Sequence, residues 1–140
     1  MQSGIYRKGS LYLLLILLPL TLQASEEKEI RAYKAVTAWL KLIDQQQYQA
    51  SWEQTATLFR KQVNASTWTQ QMTAVRQPMG DAGSRIMLGA TYTTSLPGAP
   101  DGEYVVIQFK TAFTHKKDSV ETLTAMLDNG HWRVAGYYIR

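Results

Sequence analysis

The chain has 140 residues, 45% of them hydrophobic and 19% charged, with no cysteine and a formal net charge of +4. That length suits one domain, and the apolar content is too high for a disordered chain. Without cysteine there is no disulfide framework and no thiolate zinc site, and a single apolar run excludes a multi-span membrane protein.

In chain order, the first feature is an address. Arg7 and Lys8 precede the apolar run Leu11–Leu22, which ends at Gln23-Ala24 before the acidic Ser25-Glu26-Glu27. A positive start, a short apolar middle and a small residue at its end predict a secretory signal peptide over residues 1–24, cut near Ala24. The run is about a dozen residues where a spanning helix needs about twenty, and Pro19 interrupts it, so an uncleaved anchor is the weaker alternative. The expected mature protein is a single domain over 25–140, periplasmic or secreted, with no stable membrane span. Losing Arg7 and Lys8 lowers its charge by two, which says little about partners.

From Glu26 to Ile43, residues Ala32, Ala35, Val36, Trp39, Leu40 and Ile43 follow the spacing of one helical face. The acids Glu26, Glu27 and Glu29 suit the helix N-terminus. A second helix is expected from Gln49 to about Phe59, with Trp52, Ala56 and Phe59 on one side. A third begins near Ser66 or Thr67, where Thr67-x-x-Gln70 matches a capping box. It points Trp68, Met72 and Val75 inward and stops before Pro78 and Gly80.

After Gly83 the period changes to two. Ile86, Leu88, Ala90 and Tyr92 alternate with Arg85, Met87, Gly89, Thr91 and Thr93, which predicts a half-buried strand. Leu96-Pro97-Gly98-Ala99-Pro100-Asp101-Gly102 is a dense turn. A second strand runs from Glu103 to Thr114, with Val105, Ile107, Phe109 and Phe113 on one face. His115 to Asp118 turns the chain, and a third strand runs from about Ser119 to Leu127. Asn129-Gly130 is a strong hairpin signal. It leads to a last strand, His131 to Ile139, with Trp132, Val134, Gly136 and Tyr138 facing one way. Three helices and four antiparallel strands make an α+β domain, the helices covering one face of a meander sheet.

These residues carry a resemblance. The stretch from Tyr92 to Phe109 resembles the core signature of the domain of unknown function 4019 family. So do Trp39-Leu40, Asp44, Tyr48, Trp52, Phe59-Arg60, Trp68, Val75-Arg76-x-Pro78-x-Gly80, Ser84-Arg85 and Trp132-Arg133-Val134-x-Gly136-Tyr137-Tyr138. The resemblance implies a small exported bacterial protein. It also implies a fold like the nuclear transport factor 2 cone, three helices packed into a curved four-stranded sheet. It implies no activity and no catalytic residue.

A cone of that kind offers a pocket between helices and sheet. Trp39, Trp52, Tyr92, Phe109, Trp132 and Tyr138 are placed to line it, although aromatics at inward positions more often fill a core. The carboxylates suited to proton transfer are Asp44, Glu53, Glu103 and Glu121. Asp44 and Glu53 read as helix-end or solvated residues, Glu103 follows a turn, and Glu121 reads as exposed for want of a partner. His115 and His131 lie at turns without a ligand cluster, so no metal and no cofactor are expected, and no nucleophile motif occurs. Arg60-Lys61, Lys110 and Lys116-Lys117 read as solubility, not nucleic-acid binding.

Arg76 and Arg85 flank the Pro78-Gly80 turn. They are placed either to pair with a carboxylate such as Asp81 or Asp101, or to hold an anion bidentately. The expected ligand-binding set is Arg76, Arg85, Tyr92, Asp101, Tyr104, Phe109, Trp132 and Tyr138, with no catalytic residue. The sequence thus favours an exported, non-catalytic module for a small apolar or anionic ligand, or for a protein partner. A homodimer through the uncovered sheet face at Thr91, Thr93, Tyr104 and Tyr137 is the expected assembly. The alternative function is an acid–base enzyme, an isomerase, dehydratase or hydrolase, working in the cone pocket.

Overall fold

The structure is a computed structural model that describes residues 19–140; the basic start and most of the apolar run of the expected leader lie outside them. Four helices precede four strands: α1 (Leu20–Asp44), α2 (Tyr48–Glu53), α3 (Thr57–Gln62), α4 (Ala65–Met79), β1 (Ala82–Thr93), β2 (Tyr104–Phe113), β3 (Lys116–Asp128) and β4 (His131–Ile139). The strands form one open antiparallel sheet in the order β1-β2-β3-β4. Among the described residues no helix is long and apolar enough to cross a membrane.

α1 buries Ala32, Val36, Trp39, Leu40 and Ile43. They pack on Val105, Ile107 and Phe109 of β2, Leu123 and Ala125 of β3 and Val134 of β4. The helix is longer than its apolar stripe requires. It starts at Leu20 and runs unbroken through Ala24 and Ser25, but Leu20 and Leu22 are exposed and the buried positions begin only at Ala32.

The expected second helix is two, which makes the helix count four and not three. After α2 the chain turns extended at Ala56, whose N–H donates to Val134 O at 2.8 Å, while Thr55 Oγ1 donates to Trp52 O at 2.7 Å. A residue inside a helix gives its N–H to the carbonyl four back, so Ala56, whose N–H goes to Val134, stands outside a continuous helix and α3 begins after it. Asp128 caps α3 from β3, accepting from Thr57 N–H at 2.7 Å.

The third expected helix starts earlier and ends later than its sequence signals. Asn64 Oδ1, not the Thr67 hydroxyl, caps it by accepting from Thr67 N–H at 2.9 Å. Pro78 is carried within its last turn. The buried stripe is Trp68, Met72, Arg76 and Met79, whereas Val75 is exposed. Arg76 therefore occupies the inward position that an apolar reading assigns to Val75.

The outer strands carry three register shifts, one in β1 between Ala82 and Arg85, a second in β1 at Leu88 and one in β4. Met87 pairs with Phe109 and Gly89 with Gln108, so Leu88 is an extra residue and the alternation reverses there. Ala90 and Tyr92 oppose Ile107 and Val105 on the helix side, but Ile86 opposes Lys110 on the far side, and Ile86 and Leu88 are exposed. In β4, Val134 pairs with Ala125 and Gly136 with Thr124, so Ala135 is the extra residue. Trp132, Val134 and Tyr137 then face the helices, and Gly136 and Tyr138 face away.

The four residues expected on the uncovered face divide accordingly. Thr91 and Thr93 lie on that side by register. Tyr104 is buried, its hydroxyl donating to Pro100 O at 2.6 Å under the β1–β2 loop, and Tyr137 points inward. The β2–β3 turn is also tighter than expected. Phe113 pairs with Lys116 across Thr114-His115, so Lys116 to Asp118 belong to the strand.

Candidate functional site

The sheet brings an ionic cluster together at the end of α1. Asp44 is the last residue of α1, Arg85 lies on β1 opposite Thr111 of β2, and Glu121 lies on β3 beside Tyr137 of β4. Glu121 is fully buried because it shares the inward parity of Ser119, Leu123 and Ala125, which corrects its reading as an exposed residue.

Glu121 accepts four hydrogen bonds. Oε1 takes Arg85 Nε–H at 2.6 Å and the Thr111 hydroxyl at 2.5 Å; Oε2 takes Arg85 Nη2–H at 3.3 Å and the Tyr137 hydroxyl at 2.5 Å. A carboxylate has about four lone-pair sites, so none is left to take a proton from a substrate. That is the arrangement of a positioning carboxylate.

Arg85 bridges Glu121 to α1. It donates to Asp44 Oδ2 through Nη1 at 2.9 Å and to Oδ1 through Nη2 at 3.1 Å. Burial alone would lower the Arg85 pKa, but its bonds to Asp44 and Glu121 outweigh that and hold the guanidinium above its ordinary value. Burial, followed by the Glu121 carboxylate, pushes the Tyr137 hydroxyl well above the usual tyrosine range.

Arg76 joins the cluster by one bond, from Nη2 to Asp44 Oδ1 at 3.1 Å. The flat face of its guanidinium lies over Phe113, with Cζ 4.8 Å from the ring centroid. Its side chain is only 5% exposed, yet Nε and Nη1 have no hydrogen-bond partner. A guanidinium presents two bidentate edges, Nε with Nη2 and Nη1 with Nη2, and each uses a different hydrogen of Nη2. Asp44 takes one of those hydrogens. One complete two-donor edge therefore remains unpaired, the fork that matches a carboxylate or phosphate.

Arg76 also contributes to the lining of a cleft of about 300 Å3 between the C-terminal ends of α1 and α4, together with Ile43, Asp44, Tyr48, Gln77 and Asp81 among others. Burial raises the Tyr48 hydroxyl, with Arg76 opposing the shift. Gly80, at φ +75°, closes α4 at the floor of the cleft, where the β2–β3 hairpin docks: His115 N–H donates to Met79 O at 2.9 Å and Thr114 N–H to Asp81 O at 3.0 Å. Asp81 makes no ion pair among the described residues.

A second cleft of similar volume lies at the other end of the sheet, lined by Ala24, Glu27, Lys28, Arg31, Leu127, Gly130 and Trp132. Both of its cations are paired, Arg31 with Glu27 at 2.5 Å. Lys28 Nζ bonds Glu103 Oε1 at 2.5 Å and the Tyr92 hydroxyl at 3.1 Å, which raises the lysine and lowers the glutamate.

Of the eight residues expected to bind ligand, the structure brings Arg76 and Arg85 together, through Asp44 and Glu121 instead of Asp81 or Asp101. Tyr92 and Trp132 lie toward the second cleft, Phe109 is in the core and Tyr104 is sealed under its loop. Asp101 is exposed in the β1–β2 loop, and Tyr138 is exposed on the far face. Glu121, Tyr48 and Tyr137 were not in that set. Strand parity is the sequence signal that marks Glu121 as inward. Among the described residues no three His, Cys, Asp or Glu side chains converge as metal ligands.

The model of a family described as "Protein of unknown function (DUF4019)" matches residues 35–137. No curated protein matches the chain.

Proposed function

Because the chain belongs to the DUF4019 family, whose description assigns no activity, its role rests on its own residues, and we propose that it is a non-catalytic module binding a small anion in the α1–α4 cleft. The observation that carries this reading is the unpaired two-donor edge of Arg76 on a side chain that is 5% exposed. Leaving buried donors unmade costs about 1–3 kcal/mol each, so an oxyanion partner repays a strain that Asp44 leaves standing. The saturated lone pairs of Glu121 favour binding over acid–base catalysis at this cluster.

The same reading places the protein outside the cytoplasm, following the leader of Arg7, Lys8 and Leu11–Leu22. A cut after Ala24 removes only exposed residues at the start of α1 and leaves the buried stripe from Ala32 onward intact. One long helix laid across a bulged antiparallel sheet supports the likeness to the nuclear transport factor 2 cone.

Calorimetric titration with acetate, succinate and inorganic phosphate tests the binding reading. Saturable binding that weakens about ten-fold in Arg76→Lys, which keeps the charge and loses the fork, is the expected result. No heat with any of the three, or equal affinity in the variant, would overturn it.

A further inference from the structure

We infer that the ligand of this cleft is a zwitterion, a small amino acid or a comparable amino-carboxylate; this rests on the Arg76 reading and names its substrate class.

The argument is one of charge. The two guanidinium groups of the cluster are already matched by two carboxylates. Asp44 bonds Arg76 and Arg85, and Glu121 bonds Arg85. Arg76 thus has donors to spare but no unmatched charge. A bare anion meeting those donors leaves one negative charge in excess, in a cleft also lined by Asp81. The C-terminal ends of α1 and α4 point the negative ends of their dipoles at the same place, since Asp44 ends one helix and Arg76, Gln77 and Gly80 lie at the end of the other.

A ligand that carries its own cation removes the conflict. Its carboxylate takes the free edge of Arg76, and its ammonium meets Asp81, the lining carboxylate that makes no ion pair among the described residues, and the helix-end carbonyls. A volume of about 300 Å3 is at the lower limit for small-molecule sites, which suits a ligand of amino-acid size. Ile43 supplies an apolar wall, and Tyr48, Thr73 and Gln77 supply polar ones.

Calorimetry near neutral pH with glycine and alanine, acetate and propionate, and methylamine and ethylamine tests this. The amino acids are expected to bind about ten-fold or more tighter than the matched carboxylates, and the amines weakest. Asp81→Asn, a change at an exposed side chain outside the ion pairs of the described residues, is expected to erase that preference and strengthen carboxylate binding, with an unchanged circular dichroism melt. Carboxylates binding as tightly as amino acids, or a preference that survives Asp81→Asn, would overturn the zwitterion and leave the Arg76 reading in place. Failure of both amino acids and carboxylates to bind defeats the Arg76 reading itself.

Discussion

Arg85 and Glu121 are joined side-on, Nε to Oε1 at 2.6 Å and Nη2 to Oε2 at 3.3 Å, with the carboxylate fully buried and the guanidinium 17% exposed. The pair ties β1 to β3, and Asp44 carries it on to α1. Removing one partner leaves a buried charge unmatched, whereas removing both leaves a shape that apolar groups fill. Glu121→Ala is therefore expected to cost about 3–5 kcal/mol in urea unfolding, and the double variant Arg85→Met, Glu121→Leu to recover most of that loss. Additive losses in the double variant would show that the two residues act separately.

Tyr137 makes the fold sensitive to alkali. Its folded pKa is raised, so the native state keeps the proton over a range in which the unfolded chain loses it. Stability from this group is complete below the unfolded value of about 10 and declines as pH rises past it. Thermal melts across that range are expected to fall more steeply for the native chain than for Tyr137→Phe. Parallel curves would contradict the assignment.

Gly80 is constrained twice. Its φ is +75°, and an added Cβ would sit 2.9 Å from Thr114 Cβ and 3.0 Å from His115 Cδ2. Gly98 has nearly the same φ, +76°, with nothing within 4 Å. Gly98→Ala is expected to cost about 1 kcal/mol from backbone strain alone, and Gly80→Ala about 2–3 kcal/mol, because the hairpin must also move off the helix end. Equal melting temperatures for the two variants would count against that docking.

Asp128 caps a helix from a strand. Its carboxylate accepts from the Thr57 N–H and hydroxyl, and the backbone N–H chiefly holds its pKa below the ordinary value. With a lowered folded pKa, its stabilisation is present above the unfolded value of about 4 and fades as pH falls through the folded one. Asp128→Ala is expected to lose about 1 kcal/mol at neutral pH and to flatten the acid limb of the stability curve. An unchanged acid limb would show that the cap contributes nothing.

Much of the architecture is legible in the sequence because periodicity is a local property. The stripe of α1, the strand alternation of β2 and the Asn129-Gly130 turn, with φ of 50° and 80°, all follow from spacing and turn chemistry. What was not legible depends on partners far along the chain. The break at Ala56 exists because Val134 accepts its N–H, and the bulges at Leu88 and Ala135 reverse faces that strict alternation assigns to Ile86 and Tyr138.

The cluster escaped for the same reason. Asp44, Arg76, Arg85 and Glu121 are spread over 78 positions of sequence and meet only when α1, α4, β1 and β3 are assembled. A lone glutamate in a strand reads as solvated until its neighbours of like parity, Leu123 and Ala125, are seen to be core. Arg76 was marked by its place beside the Pro78-Gly80 turn, but its inward direction follows from the Trp68-Met72-Arg76 stripe, which Val75 obscured.

The free edge of Arg76 can be watched directly. In a 15N–1H spectrum of the protein, the Nε–H and Nη–H signals of Arg76 are expected to shift and saturate as glycine or acetate is added, while those of the more exposed Arg60 and Arg133 stay in place. Arginine signals that move together without saturating, or an Arg76 signal that never moves, would contradict a ligand seated on that edge.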